Sequence, residues 1–583
     1  MLALLFAALL FLKKGLNSKL QTLLGSSNDE PLVETPLGQL SGRRSGDAEE
    51  FLGIRYAHPP ARFELAELNA APWEGVREAT KQGPRCWEPR SFPCISPAGQ
   101  SAAEACISQQ ARHMSEDCLY LDLRRPVGTK ASDKKATMVW IHGGGMVEGD
   151  SGHGRGVGNG SVLALAGDVI VVSVNYRLGP LGFLPVRGYG ESTKGSGGMN
   201  GLHDQIVALR WVQANIGSFG GDPHQVTLFG CSAGSLSICV LSVSPLTQGL
   251  FQRVILESGS CLGPWGPGGY AEGEAVRQRL LHSLGNPPAS GLLALHPWEL
   301  LWGQGQDQYD IEFPGYWLDG WVAPEPIAQR LQRGHLVPDA FIIGANSRDG
   351  VVGAAYVAKS ELPTSAERYP GAIRQHWRPA NSSGGVFGAD RLVPNVLGDQ
   401  VLSAYPLERF RTLGGPAAAF KSADGDFHVV CAARRLALAV AAQRPGQVFF
   451  YYFSHGPLQQ PECGGRPDVG NYGLPKTGWA NHGFEQNFVF GNANVSETCH
   501  FNAAEVALSK RMQLLWTDFA KANLSKKWPA FQGPSNVALG LDIQEQRLPG
   551  FGSGSSLSSE DTVNCDFWDG VTQEYGTAIR VTA

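Results

Sequence analysis

The sequence is poor in charged residues. Asp, Glu, Lys and Arg make up 17% of the 583 residues, whereas an average soluble domain has about 25%. The formal net charge is -5, and no basic stripe runs along the chain, so a nucleic acid is not expected as a partner. Hydrophobic residues make up 43%. Such a chain can bury a large core and is expected to be globular.

Spaced metal-ligand motifs are also missing. None of the 11 cysteines belongs to a Cys-x-x-Cys pair, and there is no His-Glu-x-x-His motif. The sequence therefore predicts no zinc site.

Long apolar runs are scarce as well. Residues 2–12 form one apolar run, followed by Lys13 and Lys14. Eleven residues are too few to span a bilayer and are typical of the apolar part of a signal peptide. We predict that residues 1–25 are a signal peptide or a short hydrophobic N-terminal segment. A retained anchor is the alternative, because the basic residues follow the run and no clear cleavage site is present. Membrane contact is expected only in that case.

The cysteines and glycosylation sequons favour a secreted or lumenal protein. An odd cysteine count leaves at least one free or intermolecular thiol. Four Asn-x-Ser/Thr acceptor sequons are present, at Asn159, Asn381, Asn494 and Asn523. A chain of this length carries a few by chance, so they support the secretory interpretation only together with the signal and the cysteines.

Apolar, β-branched runs recur along the chain and end at turn signals. They cover residues 136–141, 169–174, 226–229, 254–256, 341–343 and 448–453. Runs that are apolar on both faces indicate buried strands of a mostly parallel sheet. Between them, the segment 202–216 has apolar residues at helical spacing. This alternation predicts one large α/β domain, with its functional site at the carboxyl edge of the sheet.

The sharpest motif is Gly230-Cys231-Ser232-Ala233-Gly234, between a predicted strand and a helix-compatible run. Flanking glycines give a serine room for a sharp strand-to-helix turn, which exposes its hydroxyl as a nucleophile. The alternative is a chance match, since the chain has 74 glycines. The position between strand and helix favours the functional interpretation.

A second motif, residues 142–145, reads His-Gly-Gly-Gly and also follows a predicted strand. Consecutive glycines can direct backbone N–H groups at one point, as an oxyanion hole requires. An ordinary glycine-rich turn is the alternative. Spacing does not identify an acid or a histidine to complete the site, although the order serine, acid, histidine is expected.

Longer segments identify a family. They are SEDCLYLDL (115–123), VSVNYRLGPLGFL (172–184), the run 201–234, LFQRVILESGS (250–260), FIIGANSRDG (341–350) and NHGFEQNFVFG (481–491). In these segments the chain resembles the type-B carboxylesterase and cholinesterase family over nearly all of its length after about Pro36. The resemblance implies an α/β-hydrolase fold, a large mostly parallel sheet flanked by helices in a single domain over residues 30–583.

By position, the resemblance implies that Ser232 is the nucleophile, Asp349 the acid and His482 the general base. Asp349 departs from the family, which usually has Glu there, although Asp serves this role in many α/β-hydrolases. The oxyanion-hole N–H groups would come from Gly144, Gly145 and Ala233, and Trp265 would line the acyl side of the substrate pocket. The implied reaction is hydrolysis of a small-molecule carboxylic ester through an acyl-enzyme, with no cofactor or metal.

The resemblance also implies two disulfides, Cys86–Cys118 and Cys431–Cys565. Cys94–Cys106 and Cys463–Cys499 are guessed as further pairs. Cys231 is expected to be a buried free thiol, and the pairing of Cys239 and Cys261 stays open.

Two family features for binding choline are missing. A Trp that cholinesterases use for cation–π contact corresponds here to about Ser108, and Cys231 stands where they have Glu. A general carboxylesterase is therefore the main hypothesis, with a cholinesterase or lipase as one alternative. A non-catalytic adhesion or binding relative is the other. The natural ester and the oligomeric state stay open.

Overall fold

The computed structural model describes residues 30–88, 112–152, 157–185, 198–302, 316–350, 363–377, 397–456, 480–493, 500–523, 528–531, 537–549, 551 and 563–575. Several predicted features lie outside these residues. They are the N-terminal segment 1–25, the sequons at Asn381 and Asn494, Ser108, and the guessed pairs Cys94–Cys106 and Cys463–Cys499.

The strands of the described residues are numbered in chain order. They are β1 Leu32–Thr35, β2 Gly38–Ser41, β3 Arg43–Ser45, β4 Ala48–Arg55, β5 Ala57–His58, β6 Glu67–Leu68, β7 Val76–Glu78, β8 Arg85–Cys86, β9 Met114–Ser115, β10 Tyr120–Pro126, β11 Lys135–Ile141, β12 Ile170–Val174, β13 Gly221–Cys231, β14 Arg253–Glu257, β15 Ala340–Asn346, β16 Val448–Phe453, β17 Ala538–Leu541 and β18 Gln546–Leu548.

The α-helices are numbered in the same way. They are α1 Ser161–Gly167, α2 Gly179–Phe183, α3 Asn200–Asn215, α4 Ala233–Leu241, α5 Tyr270–Ser283, α6 Ala289–Ala294, α7 Pro297–Trp302, α8 Ile327–Gln332, α9 Tyr369–His376, α10 Leu397–Ala404, α11 Gly415–Gly425, α12 Cys431–Ala441, α13 Gln486–Phe490, α14 Ala503–Ala520 and α15 Cys565–Tyr575. A π-helical turn, Asp426–Val430, joins α11 to α12.

An eleven-stranded sheet forms the centre of the domain, in the order β18-β17-β16-β15-β14-β13-β11-β12-β10-β4-β3. From β12 to β17 all neighbouring strands are parallel, and the strands at both margins pair antiparallel. The six apolar runs of the sequence lie in β11 to β16, so the predicted mostly parallel sheet is confirmed. The carboxyl ends of β13, β14 and β15 meet at one edge, where sites of such sheets are found.

The central strands are apolar over most of their length because both faces of the sheet are covered. Along β11, Val139 and Ile141 pack into one hydrophobic cluster. Met138 and Trp140 pack into a second cluster, on the opposite face. Successive side chains of a strand point to opposite faces, so a strand buried on both sides is apolar at most of its positions.

Helix α3 carries the apolar stripe that the sequence predicts. Leu202, Ile206, Leu209 and Val212 are all fully buried. The polar face is also covered, because His203, Asp204 and Gln205 are buried as well. Asp204 forms an ion pair with Arg177, at 2.7 Å, so a charge in this helix is retained in the interior by pairing.

In the part of the chain that the structure describes, no helix combines the length and the hydropathy needed to cross a bilayer.

Candidate active site

Ser232 occupies a strained turn between β13 and α4. Its φ is 58° and its ψ is -123°, a region that non-glycine residues rarely adopt and that costs about 1–3 kcal/mol. The backbone on both sides holds this conformation. Ser232 N–H donates to the carbonyl of Glu257 at 2.9 Å, and the Ser232 carbonyl accepts from Leu236 N–H at 2.9 Å. The strain points to function at Ser232, since it persists only where surrounding structure enforces it.

The glycines flanking Ser232 are required by the neighbouring strand. A Cβ at Gly230 would lie 2.6 Å from the carbonyl oxygen of Ile141, and one at Gly234 would lie 2.0 Å from the same atom. The end of β11 therefore packs directly against the turn. This close approach explains the Gly-x-Ser-x-Gly pattern physically.

The glycine segment after β11 lies beside the serine. A Cβ at Gly143 would be 3.1 Å from Ser232 Cβ. Gly144 and Gly145 have φ values of 111° and 61°, which glycine adopts without strain. Among the described residues, no hydrogen bond uses the N–H of Gly144 or Gly145. Ala233 begins α4, where the first N–H groups of a helix have no partner within it.

Asp349 and His482 are brought together by two loops that are 133 residues apart in sequence. His482 Nδ1 lies 2.7 Å from Asp349 Oδ1. Asp349 is fully buried, and its Oδ2 accepts hydrogen bonds from Ser258 Oγ at 2.8 Å and from Asn346 N–H at 2.6 Å. The shorter Asp side chain thus reaches the histidine, although Glu is usual in the family that the sequence resembles.

Asn346 joins the two loops. Its side-chain Nδ2 donates to the carbonyl of Asn481 at 2.7 Å and to Glu485 Oε2. Arg348 N–H also donates to the carbonyl of Ala480 at 3.0 Å. These bonds hold the loop before α13, and therefore His482, against the end of β15.

The other ring nitrogen of His482 is not engaged. Nε2 is buried and has no hydrogen-bond partner within the described residues, so the structure has no hydrogen bond from Ser232 to His482. Such bonds are often long without substrate and tighten in the reacting complex.

Trp265 lies next to His482, with ring centroids 6.1 Å apart in an edge-to-face arrangement. Its ring also lies 5.2 Å from that of His428, on the π-helical turn, in a stacked arrangement. His428 Nδ1 is 3.0 Å from the buried carboxylate of Asp424. Sequence reasoning placed Trp265 at the site but missed His428, because no local pattern joins positions so far apart.

Two further carboxyl groups lie behind Asp349 and were also missed. Glu257 and Glu485 are fully buried. Burial raises the pKa of Glu257 to about 7. Burial and then the charges of Glu257 and Asp349 raise the pKa of Glu485 to about 8. Glu485 follows His482 by three residues, and Glu257 directly follows the predicted strand 254–256. These positions at the carboxyl edge of the sheet were the signal available in the sequence.

The structure contains the disulfides Cys86–Cys118 and Cys431–Cys565, the two that the resemblance implies. It also pairs Cys239 with Cys261, which sequence reasoning left open. Cys231 is a buried free thiol, as expected. Burial, and then the nearby charges of Glu485 and Glu257, raise the pKa of this thiol, so it is not a reactive thiolate.

Two of the four sequons lie in the described residues. Asn159 and Asn523 are both exposed. Their positions are sterically open to a glycan, and glycosylation stays a prediction.

The carboxylesterase family model matches residues 29–568. The chain belongs to the carboxylesterase family. Neuroligin-2 of Mus musculus is 32% identical over 549 residues, which cover 85% of this chain and 61% of neuroligin-2. Carboxylesterase 3B of Mus musculus is 42% identical over 247 residues, 41% of each chain. This carboxylesterase-family chain thus spans about three fifths of the length of neuroligin-2.

Solved structures of esterases have the same fold. A PNB esterase superposes with a TM-score of 0.68 at 27% identity, over 90% of this chain and 99% of the esterase. A carboxylesterase of Geobacillus stearothermophilus gives a TM-score of 0.69 at 27% identity, over 89% of this chain and 97% of that one. The α/β-hydrolase fold expected from the sequence is confirmed. The relatives carry both esterase and neuroligin names, so an activity has to be argued from the site.

Proposed function

We propose that this carboxylesterase-family chain hydrolyses uncharged carboxylic esters, with Ser232 as nucleophile, His482 as general base and Asp349 as the acid that orients it. The observation that carries the proposal is the 2.7 Å contact between His482 Nδ1 and Asp349 Oδ1, at the same sheet edge as the strained Ser232. A serine in a strained elbow and an imidazole oriented by a buried carboxylate are the parts that two-step acyl transfer requires.

We infer the following steps for these groups. His482 Nε2, which has no other partner among the described residues, takes the proton of Ser232 as its Oγ attacks the ester carbonyl. Asp349 accepts the Nδ1–H hydrogen bond and stabilises the imidazolium that forms. The N–H groups of Gly144, Gly145 and Ala233 stabilise the oxyanion, each contributing about 3 kcal/mol. His482 then protonates the leaving alcohol, and water hydrolyses the acyl-enzyme.

The substrate side favours a neutral ester over a choline ester. Cys231 supplies no negative charge beside the nucleophile, because burial keeps its thiol protonated. Trp265 supplies an aromatic wall next to His482. An apolar acyl group would pack well against this aromatic ring. A cholinesterase or lipase activity is the alternative for the same site.

The test is hydrolysis of a short-chain p-nitrophenyl ester by the wild type and by Ser232→Ala. We expect turnover by the wild type and a fall in kcat of about 10⁴- to 10⁶-fold in the variant. Ser235→Ala is a matched control, since Ser235 lies one turn further on in α4 and its Oγ donates to the carbonyl of Gly259. An inactive wild type, or equal rates for wild type and Ser232→Ala, would reject the proposal.

A non-catalytic binding role is the second candidate. Two observations favour it: the similarity to neuroligin-2 and the lack of a hydrogen bond at His482 Nε2 in the described residues. An inactive wild type that still folds would favour this role.

Secretion and the N-terminal signal segment are part of the proposal as well, and sequencing the N-terminus of the secreted protein tests them.

A further inference from the structure

Four residues lie at one level across four neighbouring parallel strands. Cys231 on β13 is in register with Glu257 on β14, Glu257 with Gly344 on β15, and Gly344 with Tyr451 on β16. A Cβ at Gly344 would lie 2.2 Å from the ring of Tyr451. The missing side chain at Gly344 therefore lets the Tyr451 ring lie across β15, towards Glu257.

Helix α14 and the start of α13 contribute further side chains around Glu257 and Tyr451. Trp516 Nε1 donates to Glu257 Oε1 at 2.6 Å, and the Trp516 ring lies 5.3 Å from that of Tyr451. From the other side, Glu485 accepts a hydrogen bond from Asn346 Nδ2. The side chains of Glu257, Glu485 and Tyr451 are all completely buried.

Within the described part of the chain, no lysine or arginine compensates the charge of either carboxyl group. Among the described residues neither Glu257 nor Glu485 forms an ion pair with a lysine or arginine. Glu257 Oε2, Glu485 Oε1 and Tyr451 Oη are also buried without a hydrogen-bond partner there. A buried carboxylate that is neither paired nor fully hydrogen-bonded is strongly disfavoured, so such a group takes up a proton.

The other titratable groups that face Glu257 and Glu485 do not compensate a negative charge on these two carboxyl groups. They are Cys231 on β13, Tyr451 on β16, Asp349 after β15 and His482 before α13. Three of them are neutral or negative, and the fourth, His482, is already engaged by Asp349. If both glutamates were ionised, they and Asp349 would place three negative charges near one imidazole, that of His482.

We propose that Glu257 and Glu485 hold one proton between them at neutral pH, and that the neutral carboxyl at Glu485 is a positioning group for Asp349 and His482. The connection runs through Asn346. Its Nδ2 reaches Glu485 and the carbonyl preceding His482, while its N–H donates to Asp349 Oδ2 at 2.6 Å. The raised pKa values of Glu257, about 7, and of Glu485, about 8, have burial as their main cause and agree with this.

The pH dependence of folding has a definite sign. A carboxyl whose pKa is higher in the folded than in the unfolded state binds more protons when folded. Its contribution to stability is complete below its unfolded pKa of about 4.3 and is lost as the pH rises through the folded values of about 7 and 8. The wild type should therefore lose stability between pH 5 and 9, and the double variant Glu257→Gln/Glu485→Gln should lose less.

Infrared spectroscopy tests the proton directly and does not depend on enzymatic activity. The difference spectrum of wild type minus the double variant, at about pH 6.5, should contain the carbonyl band of a protonated carboxylic acid. In the wild type this band should disappear towards pH 9. Glu49→Gln is the matched control, since Glu49 is also buried but pairs with Arg125 at 2.8 Å, and its spectrum should show no loss of that band. A difference spectrum without the band, or a wild type with no titrating band, overturns the proposal.

The positioning role is tested by the pH profile of ester hydrolysis, and this arm rests on the proposed function. Glu485→Ala removes the acceptor of Asn346 Nδ2 and should lower kcat/KM by about tenfold or more, whereas Glu485→Gln keeps a neutral acceptor and should restore most of the activity without moving the acidic limb of the profile. If the acidic limb of Glu485→Gln lies a pH unit or more below that of wild type, Glu485 is ionised in the wild type over that pH range, and the proposal fails. An inactive wild type rejects the proposed function alone, because the infrared result decides the proton independently.

Discussion

The indole of Trp265 is stacked on the imidazole of His428, with ring centroids 5.2 Å apart and planes inclined by 18°. His428 is fixed in turn by Asp424, with 3.0 Å between Nδ1 and Oδ1. The wall beside His482 is therefore attached to the π-helical turn and not to a free loop. A pocket wall fixed in this way can discriminate between acyl groups.

Trp265→Ala should change the acyl preference of the proposed esterase. Removing the indole opens space beside His482, so kcat/KM should fall for acetyl esters and rise for esters with bulky acyl groups. The ratio of the two should change about 10- to 100-fold, as pocket contacts of this size typically do. Rates with a series of p-nitrophenyl esters measure this ratio. Trp73→Ala is the control, because Trp73 Nε1 donates to the carbonyl of Gln39 in β2. An equal change in this variant would contradict the assignment.

Ser258→Ala should lower kcat without unfolding the protein. Ser258 Oγ donates to Asp349 Oδ2 at 2.8 Å, and a hydrogen bond to a charged group contributes about 1.5–3 kcal/mol. We expect a fall in kcat of about 10- to 100-fold, with KM nearly unchanged. Ser260→Ala is the matched control, since this equally buried hydroxyl donates to the carbonyl of Ala432 instead. If both variants lose activity equally, the effect is structural and does not act through Asp349.

His455→Gln should reduce stability in a limited pH range. His455 lies between Asp542, at 2.8 Å, and Glu505, at 3.1 Å. Burial opposes protonation, but these partners raise the pKa of His455 overall, and hydrogen bonds lower the pKa of Asp542. The stabilisation by His455 is complete below its unfolded pKa of about 6.5, and that by Asp542 above about 3.9.

The free energy of unfolding of wild type should therefore exceed that of His455→Gln most clearly at about pH 5–6. The difference should be only about 1 kcal/mol, because the Asp542 side chain is 39% exposed and is screened by solvent. The difference should shrink as the pH rises through the folded pKa of His455. Urea unfolding at several pH values measures it. A difference that is constant from pH 5 to 9 would show that the ion pairs do not cause it.

Removing the disulfide Cys431–Cys565 should destabilise the protein more than removing Cys239–Cys261. Their sequence separations are 134 and 22 residues. In the chain-entropy description the longer loop gives about 1.6 kcal/mol more stabilisation. Denaturant unfolding of the two double Cys→Ala variants tests this order. The opposite order would mean that packing at the cysteines, and not loop closure, determines their effect.

Much of the fold and of the candidate site follows from local sequence. The apolar runs of β11 to β16 need burial on both faces, which requires a parallel sheet covered by helices. Gly230 and Gly234 around Ser232 predict the elbow because only glycine allows the end of β11 to approach so closely. The positions of Asp349 and His482 came from family resemblance, since spacing alone did not select them.

Contacts between distant segments were decided by the tertiary structure alone. The bond from Ser258 to Asp349 spans 91 residues and that from Trp516 to Glu257 spans 259. The pairing of Cys239 with Cys261, the stacking of His428 on Trp265 and the burial of Glu257 beside Glu485 belong to the same class. Sequence periodicity reports which face of an element is buried. It does not report which other element covers that face, and this choice determines the hydrogen bonds and the protonation of the buried groups.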